Sequence, residues 1–150
     1  MIDPSYAAAV DTLFMRLGAR GASLIFASGD GGVSGGQSGP CNGPNHDVFV
    51  PTWPAGDPFI TSVGATDQSF RKAAGFSSGG FSNYYAAPPY QAAAIAAYKS
   101  ANAAALPRAG QYNASGRGFP DVSTVGEGFW IYCQGLDGAC SAAAALPALP

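Results

Sequence analysis

The chain has 150 residues, one domain or part of one, and would bury roughly two-thirds of its unfolded surface if all of it joined a single core. It is 47% hydrophobic but only 11% charged, less than half the usual share, and nine Phe, seven Tyr and two Trp argue against disorder. A net charge of −2 without a Lys/Arg cluster argues against nucleic acid as a partner, and no apolar run approaches a membrane span.

Met1-Ile2-Asp3-Pro4 lacks the basic and apolar regions of a signal peptide. Asp3 is instead placed to cap a helix with Pro4 at its first position. Tyr6, Val10, Leu13, Phe14 and Leu17 follow at helical spacing, Arg16 and Arg20 suit the carbonyl end, and Gly18 and Gly21 can end the helix. Leu24-Ile25-Phe26-Ala27 then predicts a buried parallel strand that runs into Ser28-Gly29-Asp30-Gly31-Gly32. Residues 31–45 form a Gly/Ser/Pro/Asn loop, and Val48-Phe49-Val50 predicts a brief strand. Pro51, Pro54 and Pro58 forbid a helix until residues 60–65 resume extended structure, with Trp53-Pro54 the expected cis bond.

Residues 77–83 read as irregular, and Pro88-Pro89 introduces a second helix over about 90–104 with Tyr90, Ala94, Ile95 and Tyr98 on one face. Pro107 and Gly110 close it. Phe119-Pro120-Asp121-Val122-Ser123 leads to a last strand at residues 129–133, and an Ala/Leu/Pro tail follows Ser141. The pattern is α/β.

Cys41, Cys133 and Cys140 have no metal-ligand spacing and only His46 to join them, so no metal site is expected. Cys133 and Cys140 can pair with each other, or either with Cys41. Gly-x-Ser-x-Gly occurs at Ser34 and at Ser77, but neither serine has the strand before it and the helix after it that a nucleophile elbow needs. Gly29-Asp30-Gly31-Gly32-Val33-Ser34 falls short of a dinucleotide fingerprint, since Ser34 replaces the third glycine and no helix follows. Asp121 suits a turn or buried backbone, and Asn113-Ala114-Ser115 is a glycosylation candidate if the chain enters a secretory route. Asp30 stands where open α/β sheets collect ligands, beyond the carboxyl end of a strand, although Gly-Asp-Gly is also a common turn.

Arg16 to Gly21, Leu24 to Gly31, Phe49 to Thr66, Ser78 to Asn83, and Tyr112 to Val122 with Gly128-Phe129-Trp130 together resemble the sedolisins, serine-carboxyl peptidases of subtilisin-like fold, and most closely their tripeptidyl peptidase branch. The resemblance covers residues 5–132. It implies a mostly parallel sheet flanked by helices and incomplete at both ends, with residues 1–132 the central part of the peptidase domain and 133–150 a divergent tail.

The resemblance makes Asp30 an oxyanion-hole residue and its neighbours Ser28, Gly29 and Gly31 substrate-binding candidates. A protonated carboxyl there donates to the oxyanion formed when a serine attacks a peptide carbonyl, worth roughly 3–4 kcal/mol. A carboxylate would repel that oxyanion, so an acidic optimum is implied. The family's serine, in a GTSAS motif, and its Glu/Asp base are not in this sequence, and its calcium site lies outside it. The isolated chain is therefore expected to be inactive, with peptide or protein as the substrate of the parent, missing flanking segments of the domain as its partners, and a lysosomal or secreted parent. A non-catalytic binding module and an unrelated α/β hydrolase using Ser34 or Ser77 remain the other classes.

Overall fold

The computed structural model describes residues 2–34, 41 and 47–128. Helix α1 spans Pro4–Ala19, with Asp3 at its N-cap accepting from Ser5 N at 2.7 Å and Arg16 in its last turn. The Ser5 hydroxyl and amide hold the exposed Asp3 carboxyl below its ordinary pKa. Gly18 falls inside the helix.

Three strands, β1 (Ile25–Ala27), β2 (Thr61–Thr66) and β5 (Val122–Val125), form a parallel sheet in the order β1-β2-β5. Two more, β3 (Gly80–Ala86) and β4 (Gly116–Phe119), pair antiparallel with an irregular register between Phe81 and Ala86. Between them Pro88-Pro89 leads through a 3₁₀ turn, Pro89–Gln91, into α2, Ala92–Ala101. The architecture is α/β with a parallel sheet.

Several expectations change. The segment 24–27 is parallel but not buried: Ile25 is 68% exposed, β1 pairs only with β2 among the described residues, and the half-buried Phe26 packs its ring 5.6 Å from that of Phe14. The apolar stripes of both helices are likewise largely open, with Tyr6, Leu13, Leu17, Tyr90 and Tyr98 exposed. Residues 77–83, which read as irregular, contain the start of β3. At 48–50 a single bridge residue, Val48, stands in place of the expected strand, and Phe49 N and Val50 N donate to Gln111 O and Val33 O. Trp53-Pro54 is cis as expected, and Phe119-Pro120 is cis as well. The proposed strand at 129–133, the tail, His46, Cys133 and Cys140 lie outside the described residues.

What is buried is unusually polar. Ala7, Ala55, Ile60, Ala74, Phe81 and Phe119 share the interior with Ser28, Asp57, Ser62, Ser78, Ser82 and Arg117. Arg117 is fully buried, so its charge must be met inside the fold. Its guanidinium is 2.5 Å from Asp121 Oδ2 and also donates to the carbonyls of Ala55, Ile60 and Gly118. Asp121 Oδ2 in turn accepts from Ser62 N at 2.8 Å, and its Oδ1 accepts from Gln91 Nε2 at 3.1 Å. Asp121 therefore bonds buried backbone, as its setting after Pro120 suggests.

Breaking this pair leaves a buried cation with carbonyl partners alone. Asp121→Ala is expected to cost about 3–5 kcal/mol, read as a lower urea midpoint, whereas Arg71→Ala at the surface changes it little. Equal midpoints for Asp121→Ala and the unaltered chain would show that the ion pair contributes no net stability.

Candidate active site

Asp30 follows β1 at the carboxyl end of the parallel sheet. The strand hands over through Ser28, whose buried N–H donates to Val63 O at 2.8 Å and so extends the β1–β2 pairing by one residue. Gly29 then takes φ +109°, a conformation that L side chains rarely adopt. A Cβ there would also meet the side-chain oxygens of Ser78 and Thr52 at 3.0 Å. Glycine is therefore required twice over, and it turns the chain so that the exposed Asp30 leaves the strand line.

Residues 76–78 hold this turn. Ser78 N donates to Gly29 O at 2.8 Å, Gly31 N donates to Ser78 Oγ at 3.0 Å, and Gly32 N donates to Phe76 O at 3.2 Å. A single buried serine thus takes the backbone on both sides of Asp30. Its neighbour Ser77 accepts Ala65 N at 3.0 Å, fastening the same segment to β2. The hydroxyl of Ser34 donates to Gly31 O at 2.8 Å.

A recess of about 140 Å³ opens at the ends of β1, β2 and β5, lined by Ala27, Asp30, Val63, Ala65, Phe76 and Val125 among others. Backbones approach closely at its floor: a Cβ on Gly126 would fall 2.4 Å from that of Ala65, and one on Gly64 would fall 2.6 Å from Pro120 Cγ. A larger groove, about 910 Å³, runs between β3–β4, α2 and the 66–73 turn, and it includes Ser77 and Ser78 but not Asp30. Size does not decide between them. The smaller recess carries the carboxyl group at a sheet's carboxyl end, which is where chemistry collects in open α/β folds.

No family model matches the chain. It is 48% identical over 130 residues to the probable tripeptidyl-peptidase SED3 of Trichophyton verrucosum, covering 82% of this chain and 20% of that protein. It is 48% identical over 124 residues to the probable tripeptidyl-peptidase SED4 of Arthroderma benhamiae, covering 81% and 20%. Against tripeptidyl-peptidase 1 of Macaca fascicularis it is 38% identical over 138 residues, covering 87% and 23%.

The chain belongs to the sedolisin family. It spans about a fifth of the length of the curated relatives it matches. In this sedolisin stretch, Ser28, Gly29, Asp30 and Gly31 form one continuous turn, with the amide of Ser28, the carbonyl of Gly29 and the amide of Gly31 engaged within the fold. Asn113 lies elsewhere, in the turn before β4: its Nδ2 donates to Ser82 O at 2.7 Å, and its Oδ1 accepts from the amide and hydroxyl of Ser115. Among the described residues, no group of three or more His, Cys, Asp or Glu is placed to hold a metal ion, and no helix is long and apolar enough to cross a membrane.

Sequence reasoning missed the grip of Ser78 on the Asp30 turn. Ser78 lies 48 positions after Asp30, in a Ser/Gly run with no pattern that names a partner, so only the fold brings the two together. Ser78→Ala is expected to leave the fold intact and to speed exchange of the Gly31 amide by about five- to tenfold, as loss of one hydrogen bond implies. Hydrogen exchange followed by NMR checks this. An unchanged rate would assign the hold on the turn to the Gly29 and Gly32 bonds alone.

Proposed function

We propose that this chain forms the oxyanion-binding part of a serine-carboxyl peptidase of subtilisin-like fold, with residues 1–132 lying centrally in the peptidase domain and 133–150 as a divergent tail. The parent hydrolyses peptide bonds in acid and, following its branch, releases tripeptides from free N-termini. The observation that carries this reading is the placement of Asp30: a carboxyl group on a glycine turn beyond a parallel strand, at the rim of a recess, with its backbone held on both sides by Ser78.

The chemistry follows from that placement. Attack on a peptide carbonyl turns a neutral oxygen into an oxyanion, and a protonated carboxyl already aimed at it stabilises the transition state more than the ground state. Ser28, Gly29 and Gly31 shape the wall of this subsite, in which the substrate backbone runs past the turn. The attacking serine and its carboxylate base come from other segments of the domain, so the isolated chain is inactive. Leu13, Ile25 and Val122, exposed on α1 and on the two outer strands, are surfaces that such segments would cover. The family's calcium site also belongs to those segments, and no step proposed here runs through it. Glycosylation at Asn113 and a lysosomal or secreted parent complete this reading.

In the protein expressed from its full reading frame, Asp30→Ala is expected to lower kcat/KM on a peptide substrate in acid by about two to three orders of magnitude, with an almost unchanged Tm. Unimpaired turnover in that variant would make Asp30 a turn residue only. An intact, folded parent without peptidase activity would favour the binding-module reading, and labelling of Ser34 or Ser77 by a fluorophosphonate would favour an unrelated hydrolase.

A further inference from the structure

In the segment 52–60 a buried carboxyl group is left with half of its hydrogen-bonding capacity unmet. Asp57 has no exposed surface. Its Oδ1 accepts from Phe59 N at 2.7 Å, while its Oδ2 is buried without a hydrogen-bond donor. A carboxylate so placed would carry a charge on an oxygen that neither water nor protein solvates.

A second carboxyl group facing Asp57 makes matters worse for a charge. The Asp11 carboxyl of α1 lies within hydrogen-bonding reach of Asp57 and is itself anchored, since Tyr85 Oη of β3 donates to Asp11 Oδ1 at 2.6 Å and accepts from Trp53 Nε1 at 3.3 Å. Two acceptor-only groups cannot face each other at that range. One proton between them resolves both difficulties, because Asp57 Oδ2 becomes a donor and Asp11 the acceptor it lacks.

The charged and titratable groups around Asp57 are Asp11 from α1, Tyr85 from β3 and Arg117 from β4. Arg117 favours ionisation of Asp57, but its guanidinium is already held by Asp121 and three carbonyls. Burial first, then the Asp11 carboxyl, push Asp57 up to about 7 from an ordinary 3.8. The Tyr85 hydroxyl is pushed upward too, by burial and then by its bond to Asp11.

We propose that Asp57 and Asp11 share one proton and act as an acid-closed latch between α1 and the segment 52–60. Ionisation places two carboxylates face to face and drives the segment from the helix. That segment is not remote from the recess: Thr52, at its start, backs directly onto Gly29. The latch thus makes the seating of the Asp30 turn dependent on pH through a pair of residues outside the recess, and it stands whether or not Asp30 is an oxyanion donor.

The sign follows from proton binding. Between about pH 4 and pH 7 the folded chain holds a proton that the unfolded chain has released, so stability falls as pH rises across that interval and levels off beyond it. In the protein expressed from its full reading frame, Tm is expected to fall by several degrees between pH 4.5 and pH 8. Asp57→Asn, whose amide donates to Asp11 at every pH, should flatten that decline.

Asp11→Asn, which removes the facing charge and supplies a donor to Asp57, should shrink it, and serves if Asp57→Asn fails to fold. Asp30→Asn should keep the full decline, which separates failure of the latch from failure of the oxyanion reading. Infrared difference spectra between pH 5 and pH 8 should show loss of a protonated-carboxyl band that is missing in Asp57→Asn. A decline of equal size in both Asp57→Asn and Asp11→Asn, or an infrared band retained in Asp57→Asn, overturns the proposal.

Discussion

The ion pair between the fully buried Arg117 and the partly exposed Asp121 is the constraint on which the rest of the structure depends. A guanidinium with no exposed surface has to find its acceptors inside the protein, and here Nη1 and Nη2 donate to Asp121 and to the carbonyls of Ala55, Ile60 and Gly118, while Nε has no acceptor among the described residues. Those carbonyls belong to the segment leading into β2 and to β4 itself. Asp121, at the entry to β5, takes the amide of Ser62 in β2 and the side chain of Gln91 ahead of α2. One charged pair therefore joins the parallel sheet, the antiparallel pair and the loop between them. Such a centre contributes less net stability than its short distance suggests, because desolvation opposes it, but it penalises any arrangement that leaves either partner alone.

The carboxyl end of the parallel sheet inherits its order from this centre. With β2 aligned on β5, the end of β1 is aligned through Ser28 and Val63, and the 76–78 segment is fastened to β2 by Ser77 and to the Asp30 turn by Ser78. The main chain on both sides of Asp30 is held by backbone and Ser78 hydrogen bonds, which keeps the exposed Asp30 at the rim of the recess.

Charge is handled differently on the other side of the same segment. The 52–60 chain has the Arg117 carbonyl contacts at residues 55 and 60, and between them the buried Asp57 faced by Asp11. The carbonyls that bind Arg117 and a carboxyl group without a full set of donors thus lie within a few residues of each other. The guanidinium's terminal nitrogens keep their acceptors whatever the pH, whereas Asp57 Oδ2 gains a partner only when a proton is present. A segment held in both ways stays anchored to Arg117 at residues 55 and 60 while its contact with α1 at Asp57 follows the pH.

Sequence alone determined the local elements whose causes are local. Asp3-Pro4 begins α1, the apolar runs at 25–27 and 61–66 are strands, Pro88-Pro89 opens the second helical segment, and Gly29 permits the turn that presents Asp30. These follow from dihedral preferences, capping and spacing, which a short window of sequence contains. Motif order over residues 5–132 likewise pointed to the family. Tertiary structure decided the rest: that β1 lies open at an edge among the described residues, that the run 77–83 supplies both a clamp and a strand, that Ser78 holds the backbone around a residue 48 positions earlier, that the buried Arg117 is met by Asp121 and three carbonyls, and that the buried Asp57 is faced by Asp11. Arg117 and Asp121 stand only four residues apart, but Asp57 and Asp11 are separated by 46 positions, and nothing within a few residues of either of those two says that the fold will bring them together.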